Sequence, residues 1–457
     1  MTDLAALDPA SQPAPKPGAK PVQSIYVTSP EMKRRNAAEA RFRAYGLVAI
    51  AVSLTMLAIM LFTIVRDGTS AFFQAKLSFP VELSEKVLDP KGNRDAAEMA
   101  KVTTIGYTKV LARALLVELE RQKIDLGPLT DKEVAEMISK DAAGGMRAMV
   151  LADPALIGTT IDATILAGGR IDGYLKGRVT METAKLDSNI SPEQLELADR
   201  LRAAGILSTG WNWGFFTNPD ASDQRPEAAG LGVALIGSAY LMALVALMCL
   251  PVGVAASIYL EEFAPKNRWT DAIEVNISNL AAVPSIVFGI LGLAIFINFA
   301  GFPQSSSFVG ALVVSLMTLP TIIIATRAAI RAVPPSIRDA ALGVGASKMQ
   351  TVFHHVLPLA MPGILTGTIL GLATALGETA PLLLIGMVAF VDNYPGMPMS
   401  GMMDPATALP VQVYSWASRS DPAFIERSNG AIIVLLVFLV VMNVGAILLR
   451  RRFERRW

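Results

Sequence analysis

Asp339-Ala340-Ala341-Leu342-Gly343-Val344-Gly345, leading on to Leu357-Pro358, is a short polar, helix-forming stretch set between long apolar runs. The runs on either side, Phe308 to Ala328 and Met361 to Phe390, can each cross a bilayer, which takes about 20 predominantly apolar residues. A polar loop between two such runs makes this chain a polytopic membrane protein.

Four further runs are of spanning length: Tyr45 to Val65, Leu231 to Leu260, Ile277 to Ala300 and Ala431 to Leu449. Composition agrees. The 457 residues are 52% hydrophobic and 17% charged, where a soluble domain carries about 25% charge. The expected fold is all-α, with six transmembrane helices and a mainly helical or α+β insert between the first and second. A cleaved signal peptide is the rival reading of Tyr45 to Val65. Its apolar region would span about 7 to 15 residues near the start of the chain. This run is longer and lies farther in, so a retained helix is expected.

Basic residues set the expected sidedness. Lys33, Arg34, Arg35, Arg41 and Arg43 precede the first run, and Arg450, Arg451, Arg452, Arg455 and Arg456 close the chain. By the positive-inside rule both termini are cytoplasmic, which requires an even number of spans. The expected division is a disordered, basic cytoplasmic tail at 1–43, a first span at 44–65, an extracytoplasmic domain at 66–228, a core with five spans at 229–450, and a basic tail at 451–457. A long domain translocates whatever its charge. One loop breaks the rule: Glu261 to Glu274 should be cytoplasmic, yet it holds more acids than bases.

Within the 66–228 block, Leu77 to Leu83 predicts a strand. Arg94 to Gln122, Asp131 to Lys140 and Pro192 to Ala204 carry helical periodicity. Trp211, Trp213, Phe215 and Phe216 close the block. Such aromatics sit either at a membrane interface or in the core of the domain.

Several function classes are excluded. The net charge of +1 and the lack of a basic stripe argue against a nucleic-acid partner. Cys249 is the single cysteine, and His354 and His355 are the only histidines, so neither a disulfide framework nor a Cys- or His-rich metal site is available. Walker A, His-Glu-x-x-His and Gly-x-Ser-x-Gly patterns are absent. No enzyme activity and no cofactor are expected in this chain.

The 331–358 loop reads as a docking element. Pro334-Pro335 starts it, and Ser336 with Asp339 has the spacing of a capping box. Ile337, Ala340, Ala341 and Val344 form an apolar stripe, Gly343 and Gly345 loosen the chain, and Lys348 to His355 resumes a helix that Leu357-Pro358 should stop. A short amphipathic helix suits a groove on a soluble partner. The bland reading is an ordinary interfacial loop helix.

This loop resembles the EAA motif of ABC importer permeases: Glu-Ala-Ala, three residues, Gly, nine residues, Ile, one residue, Leu-Pro. Asp339, Ala340, Ala341, Gly345, Leu357 and Pro358 fall in register, with Asp339 in place of Glu and His355 in place of Ile. Three other runs, Arg225-Pro226-Glu227-Ala228-Ala229-Gly230, Ala282-Val283-Pro284-Ser285-Ile286-Val287-Phe288-Gly289 and Gly377-Glu378-Thr379-Ala380-Pro381-Leu382-Leu383, look like signatures of the PstA family of phosphate importer permeases. The similarity covers roughly residues 215 to 450. The 66–210 block resembles, more loosely, the extra N-terminal domain of some members. The resemblance implies a MetI-like permease fold in a bacterial inner membrane. It also implies a second permease, PstC, two copies of an ATPase, PstB, that bind ATP and Mg, and a phosphate-binding protein, PstS, outside. The Asp339–Gly345 helix would then grip the ATPase.

Several residues fall along the expected pathway. Glu378 interrupts an apolar run, and an acid at mid-membrane costs on the order of 2.5 to 3.5 kcal/mol. It is expected to pair with a cation, to gate, or to anchor a helix contact. The family pattern places an Arg four residues earlier, where this chain has Thr374. Thr379 and Ser285 sit in the signature runs beside it. Arg327 and Arg331 either attract the anion near its exit or anchor the span by the positive-inside rule. Gly363, Gly367 and Gly371 share one helix face and suggest close packing on a sister helix or the partner permease. The competing functions are a permease for sulfate, molybdate or phosphonate, and a membrane-anchored sensor or assembly protein working through the 66–210 block.

Overall fold

Helix α1 runs from Pro30 to Gly68 in the computed structural model, which describes residues 30–387, 390–396 and 398–453. It begins well ahead of the apolar run. Residues 30–43, expected to belong to the disordered tail, are helical. They are rich in Ala, Arg, Glu and Lys, all strong helix formers, and lack an internal Gly or Pro. Residues 1–29 of that tail, and Arg455 and Arg456 of the basic end, lie outside the described residues. The helix up to Phe62 forms one compact unit, and Thr63 onward forms a second.

The second unit opens with an α+β domain. Strand β1, Phe73–Glu82, is central in a sheet of order β2-β1-β3, with β2 at Thr160–Leu166 and β3 at Leu207–Trp211, both antiparallel to it. Alternate residues Ala75, Leu77, Phe79 and Val81 point inward, as period two requires. They meet Leu111, Leu115 and Leu119 of α2 (Thr104–Arg121), Met146 and Val150 of α3 (Ala142–Ala152), and, beyond α4 (Gly169–Leu175), Leu195 and Leu201 of α5 (Pro192–Ala203).

Two helices expected here are shorter than predicted. Arg94 to Gln122 breaks between Met99 and Thr104, where the β-branched run Val102-Thr103-Thr104 weakens the helix. The helix expected over Asp131 to Lys140 stops at Ala135. Its Thr130–Glu133 capping box starts it properly, but Ser139 donates its backbone N–H to Leu166 of β2 and leaves the helical path. The aromatic cluster divides, and its buried part takes the core role. Phe215 is fully buried against Phe72 and Trp416, whereas Trp213 is 70% exposed.

The apolar core follows. Helix α6, Gly232–Ile258, ends in a π-helical turn, Tyr259–Phe263. The single span expected over Ile277 to Ala300 is instead broken. Helix α7 (Arg268–Ala281) and helix α8 (Ser285–Gly292, prolonged by a π turn to Phe299) meet at 99°. Pro284 causes the break. It sits extended at ψ 135 as the N-cap of α8, and a proline disfavours helical backbone just before it. Helix α9, Ser307–Arg331, is the hub and lies against α6, α7 and α8. Helix α10, Pro335–Gly343, follows.

Lys348–Thr351 and a π turn at Val352–Val356 lead straight into α11, Leu357–Gly377. The expected stop at Leu357-Pro358 does not occur. A proline ring clashes with the carbonyl four residues back in a regular helix, and the wider π turn just ahead lets the helix continue. The span expected to reach Phe390 ends at Gly377, because Pro381 suits the first turn of a new helix, Ala380–Leu384, better than the interior of an old one. Helices α12 (Leu409–Ala417) and α13 (Pro422–Phe453) complete the fold. Five helices are long and apolar enough to cross a membrane among the described residues, and the bent α7–α8 pair reaches that length only when its two arms are taken together.

A buried polar seam joins the α+β domain to the core. Asp172 of α4 accepts from the backbone N–H of Ala75 and pairs with Lys176 at 2.8 Å and Arg178 at 3.2 Å. Lys176 reaches on to Glu426 of α13 at 2.8 Å. Beside it, Arg427 donates to the carbonyls of Ala229 and Glu227, both at 2.7 Å. Arg225 pairs with Asp141 at 2.9 Å. The Glu227 carboxyl is buried and takes the Ser139 hydroxyl on one oxygen, while its other oxygen has no partner among the described residues.

Burial holds the Glu227 carboxyl above the ordinary glutamate range. The folded state therefore binds this proton more tightly than the unfolded chain. That contribution is complete below the unfolded value and is lost as pH rises through the folded one. Glu227→Gln, a mimic of the protonated side chain, is expected to flatten the fall in apparent melting temperature from acid to neutral pH. An unchanged slope in detergent-solubilised protein would refute this. On α11, the Cβ that Gly367 lacks would collide with Ala325 of α9, and Gly363 and Gly371 face Ala329 and Ile322 of that same helix. Gly367→Leu is thus expected to destabilise the chain itself by about 1–3 kcal/mol, the usual cost of overpacking, seen as a lower melting temperature before any partner is added.

Candidate coupling site and pathway residues

Helix α10 is built to end where it does. Gly345 has φ +90, a left-handed value that costs other L-residues about 1–2 kcal/mol. The Gly345 N–H reaches the Leu342 carbonyl at 3.0 Å and the Ala346 N–H reaches Ala341 at 3.1 Å. This is a Schellman ending, which satisfies two of the last carbonyls of the helix. Ser347 then caps the next turn through Gln350, with both halves of a capping box formed.

The capping box expected at Ser336 and Asp339 does not form. The N-cap is Pro334, two residues before Ser336, which therefore lies inside the helix. The expected apolar stripe also divides. Ala341 is buried, and half-buried Ile337 packs toward Ile330, Val333, Val352 and Val356. Asp339, Ala340, Leu342, Gly343 and Val344 are exposed, with Val344 at 86%. These exposed residues form one free face bearing one acid, with motif residue Ala341 turned inward. Leu357 and Pro358 open α11 behind it.

The acidic Glu261–Glu274 loop is not left unbalanced. Glu261 accepts from Arg331 at 2.7 Å and Arg327 at 3.3 Å, and Arg327 also pairs with Glu274 of α7. Glu262 accepts from Arg338 of α10 at 2.8 Å. Arg327 is 9% exposed. Arg327 and Arg331 therefore meet carboxylates of this chain. Arg338, Glu262 and Glu274 escaped the sequence reading, because partners some 50 to 80 positions apart leave no local pattern; the surplus of acids in the loop was their one visible trace.

The remaining expected residues cluster loosely. Ser285 begins α8 and Thr379 precedes the Ala380–Leu384 helix. These two segments touch, since a Cβ on Gly289 would lie 2.7 Å from Pro381 Cα. The second and third signature runs thus meet in space. Glu378 is half-buried and extended at the end of α11, with no ion pair among the described residues. The Thr374 hydroxyl is spent on the Leu370 carbonyl at 3.0 Å, so no side-chain partner for Glu378 stands one turn earlier. No group of His, Cys, Asp or Glu suited to a metal is found among the described residues.

Comparison with known proteins fits this architecture. Residues 250–457 match the family described as binding-protein-dependent transport system inner membrane component, and residues 29–185 match a domain of unknown function, DUF3333. The chain is 33% identical over 229 residues to the probable ABC transporter permease protein YqgI of Bacillus subtilis (strain 168), covering 48% of this chain and 78% of that protein. It is 31% identical over 257 residues to the phosphate transport system permease protein PstA 1 of Mycobacterium tuberculosis (strain CDC 1551 / Oshkosh), covering 55% and 82%. A chain of the MetNI methionine ABC transporter aligns at 15% identity and a TM-score of 0.37, over 50% of this chain and 95% of that one. The chain belongs to the family of multi-pass inner-membrane ABC transporter permeases that includes PstA, and it carries a DUF3333 domain ahead of the permease core.

Proposed function

We propose that this chain is the transmembrane subunit of an ATP-driven phosphate importer, forming half of the pathway and coupling to its ATPase by alternating access. The observation that carries the reading is the free face of α10, held ready by the Gly345 ending, in a chain related to PstA. The free face takes the ATPase, of which two PstB copies hold ATP and Mg. PstC supplies the other half of the wall and PstS delivers the anion. Both termini are cytoplasmic and the α+β domain lies outside.

The energetic need is plain. Inward movement of an anion against a negative-inside potential costs about 2.3 kcal/mol per charge per 100 mV. Concentrating it adds about 1.4 kcal/mol per tenfold. Glu378, Thr379, Thr374 and Ser285 line the pathway in this reading, with Glu378 as a gate. Arg327 and Arg331, already committed to carboxylates, hold helices together and do not meet the anion.

Uptake of labelled phosphate is expected in cells lacking their own permease once this chain and its partner subunits are supplied, with labelled sulfate left outside. Sulfate uptake in place of phosphate would overturn the cargo, and no uptake by an assembled complex would overturn the transporter. Gly345→Val should shift the end of α10 at a cost of about 1–2 kcal/mol, weakening ATPase co-purification by about tenfold. Undiminished binding would show that α10 does not need this ending.

A further inference from the structure

Pressure on α10 from an ATPase must leave that helix through some set of atoms. The apolar contact beneath α10 is small, comprising buried Ala341 and half-buried Ile337. Apolar contact is also non-directional, so it resists sliding poorly. The directional contact is Arg338. Its Nη1 donates to the Val333 carbonyl at 2.7 Å and its Nη2 to the Ile330 carbonyl at 2.9 Å. Nε and Nη2 both donate to Glu262 Oε1, at 3.1 and 2.8 Å. The first two acceptors are carbonyls in the link that follows α9 and in the last turn of α9. The third belongs to the π turn that ends α6. One planar fork thus ties α10 to two spans. The side chains are 21% and 10% exposed, and a charge-assisted fork of this kind fixes geometry as well as energy.

The contact does not stop there. Glu261, the next residue of the π turn, holds Arg331 and Arg327 of α9, and Arg327 holds Glu274 of α7. Force entering at Arg338 therefore reaches α6, α9 and the α7 arm of the broken α7–α8 pair through ion pairs joined by the Glu261–Glu262 backbone. We propose that Arg338 is the positioning residue that passes displacement of α10 to these spans, with Glu262 as its seat. This rests on the permease reading above.

The test uses the whole complex in proteoliposomes, measuring ATP hydrolysis and phosphate uptake in the same preparation. Arg338→Ala is expected to keep the ATPase bound, because the exposed face of α10 is untouched. Phosphate carried per ATP hydrolysed should fall by at least about tenfold, the effect of about 1.4 kcal/mol. Arg338→Lys should be intermediate, since an ammonium cannot fork to all three acceptors. The swap of Arg338→Glu with Glu262→Arg should recover part of the ratio lost in either single variant. Hydrolysis and uptake falling together, or a swap without recovery, would reduce Arg338 to a folding role and overturn the proposal.

A second readout needs no cargo. Spin labels at Ser336 on α10 and Val252 on α6, in a Cys249→Ala background, should keep one distance when ATP binds. In Arg338→Ala that distance should change with ATP. Equal behaviour in both proteins would overturn the joint. Failure of phosphate uptake in the unaltered complex would sink the cargo assignment instead, and the label distances would still decide the joint.

Discussion

The two acids that close α6 are met by cations from other helices, and that pairing organises the core of this permease. Glu261 and Glu262 close α6 inside a π turn, and Glu274 follows on α7. Unpaired, each would face the cost of a charge beside hydrocarbon. Arg327, Arg331 and Arg338 meet them from α9 and α10. The pairing fixes how far α6, α7, α9 and α10 can slide past one another, which apolar packing alone would leave loose. It also removes the charge anomaly of the loop: the acids are answered from other elements, not by lysines nearby.

Glycines set the approach of the same helices. The glycine face of α11 lies on Ala325 and Ala329 of α9, so that backbone nears backbone. In a lipid setting apolar surface gives no drive for helix association, and close packing of small residues takes over. The partner of this face is thus a helix of the same chain, one of the two possibilities that the spacing of four had left open. The broken span obeys a similar economy. Pro284 turns the chain by 99°, and Gly289 then lets α8 meet Pro381. Runs far apart in sequence become neighbours around a single bend.

The sequence disclosed whatever depends on local composition. Apolar runs announced the spans, and the Asp339–Gly345 spacing announced α10. Leu77 to Leu83 marked the central strand but left out its first four residues, Phe73 to Lys76. Breaks inside apolar runs were harder, because hydropathy alone passes over Pro284 and Pro381. The helix at 30–43 was missed because charge suggested a tail, although its residues are helix formers. Ser336 with Asp339 has capping-box spacing, yet it is Ser347-x-x-Gln350, with the longer side chain, that forms the box. Contacts such as Arg338 to Glu262 or Arg427 to the Glu227 carbonyl join distant positions. No window along the chain contains both members.

The seam between the α+β domain and the core shows what such distant contacts accomplish. Lys176 and Glu426 are 7% and 5% exposed at the side chain. Burying two charges costs several kcal/mol per ion, and an ion pair in that setting is weak evidence for stability. An apolar seam of the same area would hold as firmly. It would not, however, define one orientation, since apolar surfaces slide and rotate at little cost. Glu426 must face Lys176 and Arg178 at once, while Arg427 must reach two carbonyls of the Arg225–Gly230 run. Few relative placements satisfy all of these together. The seam therefore fixes the angle of the domain against the start of α13 and ties it to that span, so movement at that end of α13 is movement of the domain.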